Sequence, residues 1–90
     1  MKKNIIILGS TGSIGNFTLD IIKKNKKNFN IKLLSTNKNI DKVFKQALLF
    51  NVENIIITDY QSYLKAKKKY RKFKIKFHNS FSIIDILFKK

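Results

Sequence analysis

Lys3 to Gly15 reads KNIIILGSTGSIG, and these residues decide the fold. Ile5, Ile6, Ile7 and Leu8 make an apolar run, rich in β-branched residues and too short for a buried helix. Such a run reads as a strand buried on both faces, as inside a parallel sheet. It stops at Gly9, and glycine returns at Gly12 and Gly15 with Ser10, Thr11 and Ser13 between them. Behind the glycines, Ile14, Phe17, Thr18, Ile21 and Ile22 recur at helical spacing.

Strand, glycine turn and helix in this order form a βα unit suited to nucleotide phosphates. Gly9 can take the unusual φ needed to leave a strand sharply. Gly12 carries no Cβ, so a pyrophosphate can approach the backbone, and Gly15 lets the helix pack closely. The free amides of the first helical turn and the positive end of its dipole face an anion. Ser10, Thr11 and Ser13 add hydroxyls that can donate to it or cap the helix. The spacing is GxxGxxG, and the Lys-Ser/Thr ending of a P-loop is absent. That favours a dinucleotide over a nucleoside triphosphate; a glycine-rich turn without a ligand is the plainer alternative.

Outward from this unit, the first helix is expected over Ser13 to Lys24, with Ile14, Phe17 and Ile21 inward and Asp20 outward. After the polar connector Asn25 to Asn30, Ile31 to Ser35 reads as a second strand carried by Leu33 and Leu34. Asn39 can cap a helix over Ile40 to Phe50, with Val43, Phe44, Ala47 and Leu48 on one face. Asn54 to Ile57 is a third strand, and Asp59 a cap for a helix from Tyr60 to Tyr70 with Tyr63, Ala66 and Tyr70 inward. In Lys74 to His78, Ile75 and Phe77 alternate with lysines, which marks a strand at the sheet edge. A last helix begins at Asn79 or Ser80 and carries Ile83, Ile84 and Leu87. The fold class is α/β: a Rossmann-like parallel sheet of about four strands alternating with helices, joined by right-handed crossovers.

The 90 residues suffice for one small domain and carry a formal charge of +15. Of the 20 basic residues only Arg71 is arginine, the residue favoured for bidentate phosphate and base contacts. The lysines accompany an excess of Ile, Asn and Phe, as an AT-rich coding bias would produce, so the charge reads as a solvated surface. The run Lys65 to Lys76, KAKKKYRKFKIK, interleaves Tyr70 and Phe73 with charge as single-strand binders do, but reads first as an exposed helix end. Nucleic acid is therefore not the expected partner. Cysteine is absent, which excludes disulfides and thiolate metal sites. No apolar run reaches the length of a membrane span, and Ile5 to Leu8 is too short for a signal-peptide core. A cytoplasmic protein is expected.

An NAD site usually places an acid about twenty residues past the glycines, on the ribose 2′-hydroxyl. Here that position falls in Ser35-Thr36-Asn37-Lys38-Asn39, which contains no acid. Lys38 can pair with a 2′-phosphate and the neighbouring polar groups can donate to it, so NADP(H) is the inference. A polar loop with an incidental lysine is the alternative. Asp20, Asp41, Glu53, Asp59 and Asp85 are scattered, and His78 is the single histidine. No catalytic triad or metal-ligand spacing is present, so no catalytic and no metal residue is assigned.

The run ILGSTGSIGNFTLDII, followed at the right distance by Asn37-Lys38-Asn39, resembles the amino-terminal part of the 1-deoxy-D-xylulose 5-phosphate reductoisomerase family. The resemblance spans essentially the whole chain and about the first quarter of such an enzyme. It implies isomerisation and NADPH-dependent reduction to 2-C-methyl-D-erythritol 4-phosphate in non-mevalonate isoprenoid synthesis, with a Mg or Mn ion. Position by position it implies NADPH contacts at Thr11, Gly12, Ser13 and Ile14 and at Asn37, Lys38 and Asn39. The family commonly has glycine where Asn37 stands; asparagine tolerates positive φ better than most residues. The metal ligands, the sugar-phosphate site and the mobile loop of the family fall beyond residue 90, and the family generally forms homodimers. Residues 1–90 are thus expected to be an NADPH-binding domain truncated at its C-terminal end and inactive alone. A stand-alone nucleotide-binding module and a basic nucleic-acid-binding protein are the alternatives.

Overall fold

A computed structural model describes residues 2–88. β1 (Lys3–Ile7) leads through the glycine turn into α1 (Ser13–Lys23), and a 3-10 turn at Lys26–Asn28 leads into β2 (Phe29–Thr36). α2 (Ile40–Phe50), β3 (Asn54–Ile57), α3 (Tyr60–Lys69), β4 (Lys76–His78) and α4 (Ile83–Leu87) follow. The four strands are parallel and lie in the order β1-β2-β3-β4. The expected α/β alternation is therefore present, and among the described residues β4 lies at the sheet edge, as its alternating pattern suggests.

The core lies under β2 and β3, where Leu33, Leu34, Ile55, Ile56 and Ile57 are fully buried together with Val43 of α2 and Ala66 of α3. Tyr63 and Tyr70 pack against it half-buried. Phe44 stacks on Tyr70 with centroids 3.7 Å apart, which joins α2 to α3. Asp41 at the start of α2 reinforces that joint by accepting from Lys69 at 2.7 Å and from the Tyr70 hydroxyl. Asp59 caps α3 by accepting from the Ser62 amide at 3.0 Å, as expected. Asn39 occupies the cap position of α2 but makes no side-chain cap bond.

Several expectations are corrected. Hydrogen bonding starts β2 two residues earlier, at Phe29, and β4 two later, at Lys76, while α4 begins only at Ile83. β1 is not buried on both faces: Ile5 and Ile6 are half-buried, because β2 is its single strand neighbour among the described residues. The inward face of α1 also differs. Gly15, Leu19 and Ile22 are buried, whereas Ile14, Phe17 and Ile21 are exposed. Residues 15, 19 and 22 share one helical face, and the contact of Gly15 with the turn aims that face at the sheet. The stripe 14, 17 and 21 lies beside it, where an edge strand leaves no sheet to cover.

Candidate functional site

The site forms where β1 and β2 end. Gly9 has a φ of +68°, a conformation that turns the chain out of β1 and that a side chain would strain. The turn is then tied to β2. The Gly9 amide donates to Ser35 Oγ at 2.8 Å, the Ser10 amide to the Ser35 carbonyl at 2.9 Å, and the Thr11 and Thr36 hydroxyls bond at 2.7 Å. A Cβ on Gly15 would lie 2.4 Å from the Gly9 carbonyl oxygen, so α1 starts directly against the turn.

Gly12 is different. It caps α1 in extended backbone, φ −80° and ψ 176°, and a Cβ there would meet only the Gly9 carbonyl oxygen at an ordinary 3.5 Å. The protein's own packing thus imposes no glycine at this position. Above it Ile7, Leu8, Ser13, Ile14 and Thr18 border an open depression of about 480 Å³. The amides of Ser13, Ile14 and Gly15 find no acceptor among the described residues. Unpaired amides at the positive end of a helix beside a glycine bare of Cβ suit a diphosphate.

Three residues outside the expected set build this turn. Gln46 reaches from α2 and donates to the Ser10 carbonyl at 2.9 Å and to Asn16 Oδ1 at 3.1 Å. Lys42, one helical turn earlier, donates to the Thr11 carbonyl at 3.1 Å, and the Asn16 side chain donates to the Thr11 and Gly12 carbonyls. The outward carbonyls of the turn are thereby occupied, which leaves its amides facing the depression. The one signal in the sequence was the i, i+4 placing of Lys42 and Gln46 on α2, and such pairs are common on solvated faces.

The loop Asn37-Lys38-Asn39 lies next to the turn, at the end of β2. Asn37 is not in the positive-φ region; among the described residues Asn51, at the end of α2, is the non-glycine residue that is. The side chain of Asn37 donates to Thr58 Oγ1 at 2.7 Å, and its carbonyl accepts from the Asp59 amide at 3.1 Å. Lys38 is exposed. The nearest acid, Asp59, belongs to the start of α3: hydrogen bonds from the Ser62 hydroxyl and then its amide lower the Asp59 pKa, and the Lys38 charge adds a smaller pull. The structure brings Thr11, Gly12, Ser13 and Ile14 and residues 37–39 to the ends of two adjacent strands. His78 stands apart, half-buried on Asn54 at 3.0 Å, and burial, then the Lys76 charge, lowers its pKa. Among the described residues no group of three metal-ligating side chains exists.

The model of the family described as 1-deoxy-D-xylulose 5-phosphate reductoisomerase matches residues 5–85, which include the turn and the loop. The chain belongs to the 1-deoxy-D-xylulose 5-phosphate reductoisomerase family. A reductoisomerase of Pelagibacter ubique is 50% identical over 86 residues, 96% of this chain and 22% of the relative. One of Porphyromonas gingivalis is 51% identical over 63 residues, 70% of this chain and 16% of the relative. The chain therefore spans about a fifth of the length of the reductoisomerases it matches. Among solved structures, the Zymomonas mobilis reductoisomerase in complex with NADPH superposes with a TM-score of 0.79 at 27% identity, over 87% of this chain and 21% of that one. A reductoisomerase in complex with NADPH, fosmidomycin and magnesium gives 0.82 at 26% identity, over 93% of this chain and 21% of that one. The four-stranded sheet is thus a partial domain of the reductoisomerase architecture.

Proposed function

We propose that residues 1–90 are the NADPH-binding segment of a reductoisomerase that converts 1-deoxy-D-xylulose 5-phosphate to 2-C-methyl-D-erythritol 4-phosphate. The observation that carries the proposal is the trio of unpaired amides at Ser13, Ile14 and Gly15 above the open Gly12. These amides receive the diphosphate, while Thr11 is braced by Thr36 at the wall of the turn. Lys38 pairs with the 2′-phosphate, with the backbone of Asn37 and Asn39 on either side of it. When bound, NADPH supplies the hydride for the reduction. This segment's work is to bind and orient it; no side chain in the turn or the loop is placed to move a proton. The solved relatives in complex with NADPH support reading a dinucleotide site here, and the family's metal ion belongs to the reading of the whole enzyme. The sugar-phosphate site, homodimer contacts and a cytoplasmic location belong to the same reading of the whole enzyme.

Calorimetric titration of the purified chain with NADPH and NADH tests the reading. NADPH binds more tightly, and Lys38→Ala weakens NADPH binding about tenfold or more while leaving NADH unchanged, since hydrogen bonds to charged groups are the strong ones. Equal binding of the two dinucleotides removes the 2′-phosphate argument.

A further inference from the structure

We infer that Thr58, acting through Asn37, is a positioning residue for cofactor choice: the pair latches the loop that carries Lys38 to the end of β3. The inference rests on the NADPH reading above and adds a residue that touches no part of the nucleotide in it.

The geometry is that of a closed clasp. Strand pairing between β2 and β3 ends at Thr36 and Ile57. Beyond that point the Thr58 amide still donates to the Thr36 carbonyl at 3.0 Å. Two further bonds then hold Asn37: its side-chain amide donates to Thr58 Oγ1, and its carbonyl accepts from the Asp59 amide. Thr58 is itself anchored from β4, because the Asn79 side chain donates to the Ile57 and Thr58 carbonyls at 2.9 and 3.3 Å. A polar line thus runs from Asn79 through Thr58 to Asn37, across the carboxyl ends of three strands. On the other side of Lys38, its carbonyl accepts from the Ile40 amide at 2.9 Å. The backbone is held on both flanks of Lys38 while the side chain stays exposed.

The electrostatics agree. The Asp59 carboxylate is engaged by Ser62, accepting from the amide at 3.0 Å and from the hydroxyl at 2.6 Å. It is held by Ser62 and forms no ion pair with Lys38; Lys69–Asp41 is the ion pair found among the described residues. A fixed Cα narrows the positions the Lys38 ammonium can take, so less freedom is left to lose when it pairs with a 2′-phosphate. The latch supplies that fixing. It also turns the Asn37 side chain to Thr58 and so keeps it out of the space beside Lys38.

The test compares the wild-type chain with Thr58→Val, Thr58→Ser and Lys38→Ala. NADPH and NADH affinities are measured by calorimetry, and amide hydrogen exchange is measured at Ile40 and Asp59 without nucleotide. Thr58→Val keeps the shape and removes the acceptor. It should lower the NADPH-over-NADH preference about fivefold, on the scale of one lost hydrogen bond, and speed exchange at both amides. Thr58→Ser should retain both wild-type values. A Thr58→Val preference equal to wild type, with Lys38→Ala lowering it, overturns the latch and leaves the NADPH reading standing. Equal weakening of both dinucleotides by Thr58→Val also overturns it, since that is the mark of a merely structural residue. An unchanged preference in Lys38→Ala, or a wild-type chain that binds neither dinucleotide, overturns the NADPH reading and the latch together. If Thr58→Val does not fold, Thr58→Ala removes the same acceptor with a smaller side chain and decides by the same criteria.

Discussion

Gly15 and the carbonyl of Gly9 are in such close approach that the missing Cβ would sit 2.4 Å from the oxygen, with Ser10 backbone atoms at 2.6 and 2.8 Å. All three neighbours are main-chain atoms of a turn pinned to β2, and none can swing aside. At Gly12 the same construction meets an ordinary contact at 3.5 Å. Two glycines three residues apart therefore answer to different demands, one of the fold and one of whatever enters the depression.

This separates stability from binding. Gly15→Ala would gain helix propensity in isolation, but the backbone clash reverses the sign, and a loss of about 1–3 kcal/mol is expected. Gly12→Ala should cost about 1 kcal/mol or less, as a poorer cap, yet weaken NADPH binding about tenfold or more by occupying the approach to the amides. Urea denaturation and NADPH titration of the two variants, side by side, check both halves. A binding loss for Gly12→Ala that merely matches its stability loss would contradict the division.

The buried face of α1 gives a second prediction. Leu19 is 4% exposed and Phe17 66%. Leu19→Ala should destabilise the chain by about 2–4 kcal/mol, and Phe17→Ala should stay within about 0.5 kcal/mol of wild type. Urea midpoints with an unchanged denaturant slope are the measurement. The reverse ranking would restore the face that apolar periodicity suggests.

Acid should weaken the fold in two windows. His78 has its pKa lowered from 6.5 by burial and then by the Lys76 charge, so the folded chain favours the neutral ring. The unfolded state then binds more protons, and stability falls as the pH drops below 6.5 toward the folded value. Asp59 is lowered by its Ser62 hydrogen bonds and Asp41 chiefly by those from Lys69 and then Tyr70, both from 3.8. Their contributions are complete above 3.8 and are lost as the pH falls through the depressed values. Urea midpoints across the acid range should show both steps. His78→Gln should remove the upper one, and Asp59→Ala with Asp41→Ala should shrink the lower.

Much of the site was legible because its parts are local. The glycine spacing placed the turn, and the loop after β2 was found by counting from it. Ser35 is legible as a polar donor of the loop, whereas Thr36, Asn16, Lys42, Gln46 and Thr58 are not legible as builders of the site. Each acts through a hydrogen bond to a residue in another element or at a turn, and a Ser, Thr, Asn or Gln carries no mark of such a partner in its own neighbourhood. Asp59 is legible as a cap from its place before α3, but the small pull of the Lys38 charge on it is not.

The amino-acid sequence alone determined the alternation of strands and helices, the glycine turn and the acid-free loop. Periodicity, capping and backbone sterics are properties of contiguous residues. Only the tertiary structure decided which stripe of α1 is buried, that β1 lies at an edge among the described residues, and that Asn37 is bonded to Thr58. These depend on how elements some twenty residues apart pack against one another. α1 carries two adjacent apolar stripes, and the close seat of Gly15 on the turn selects between them.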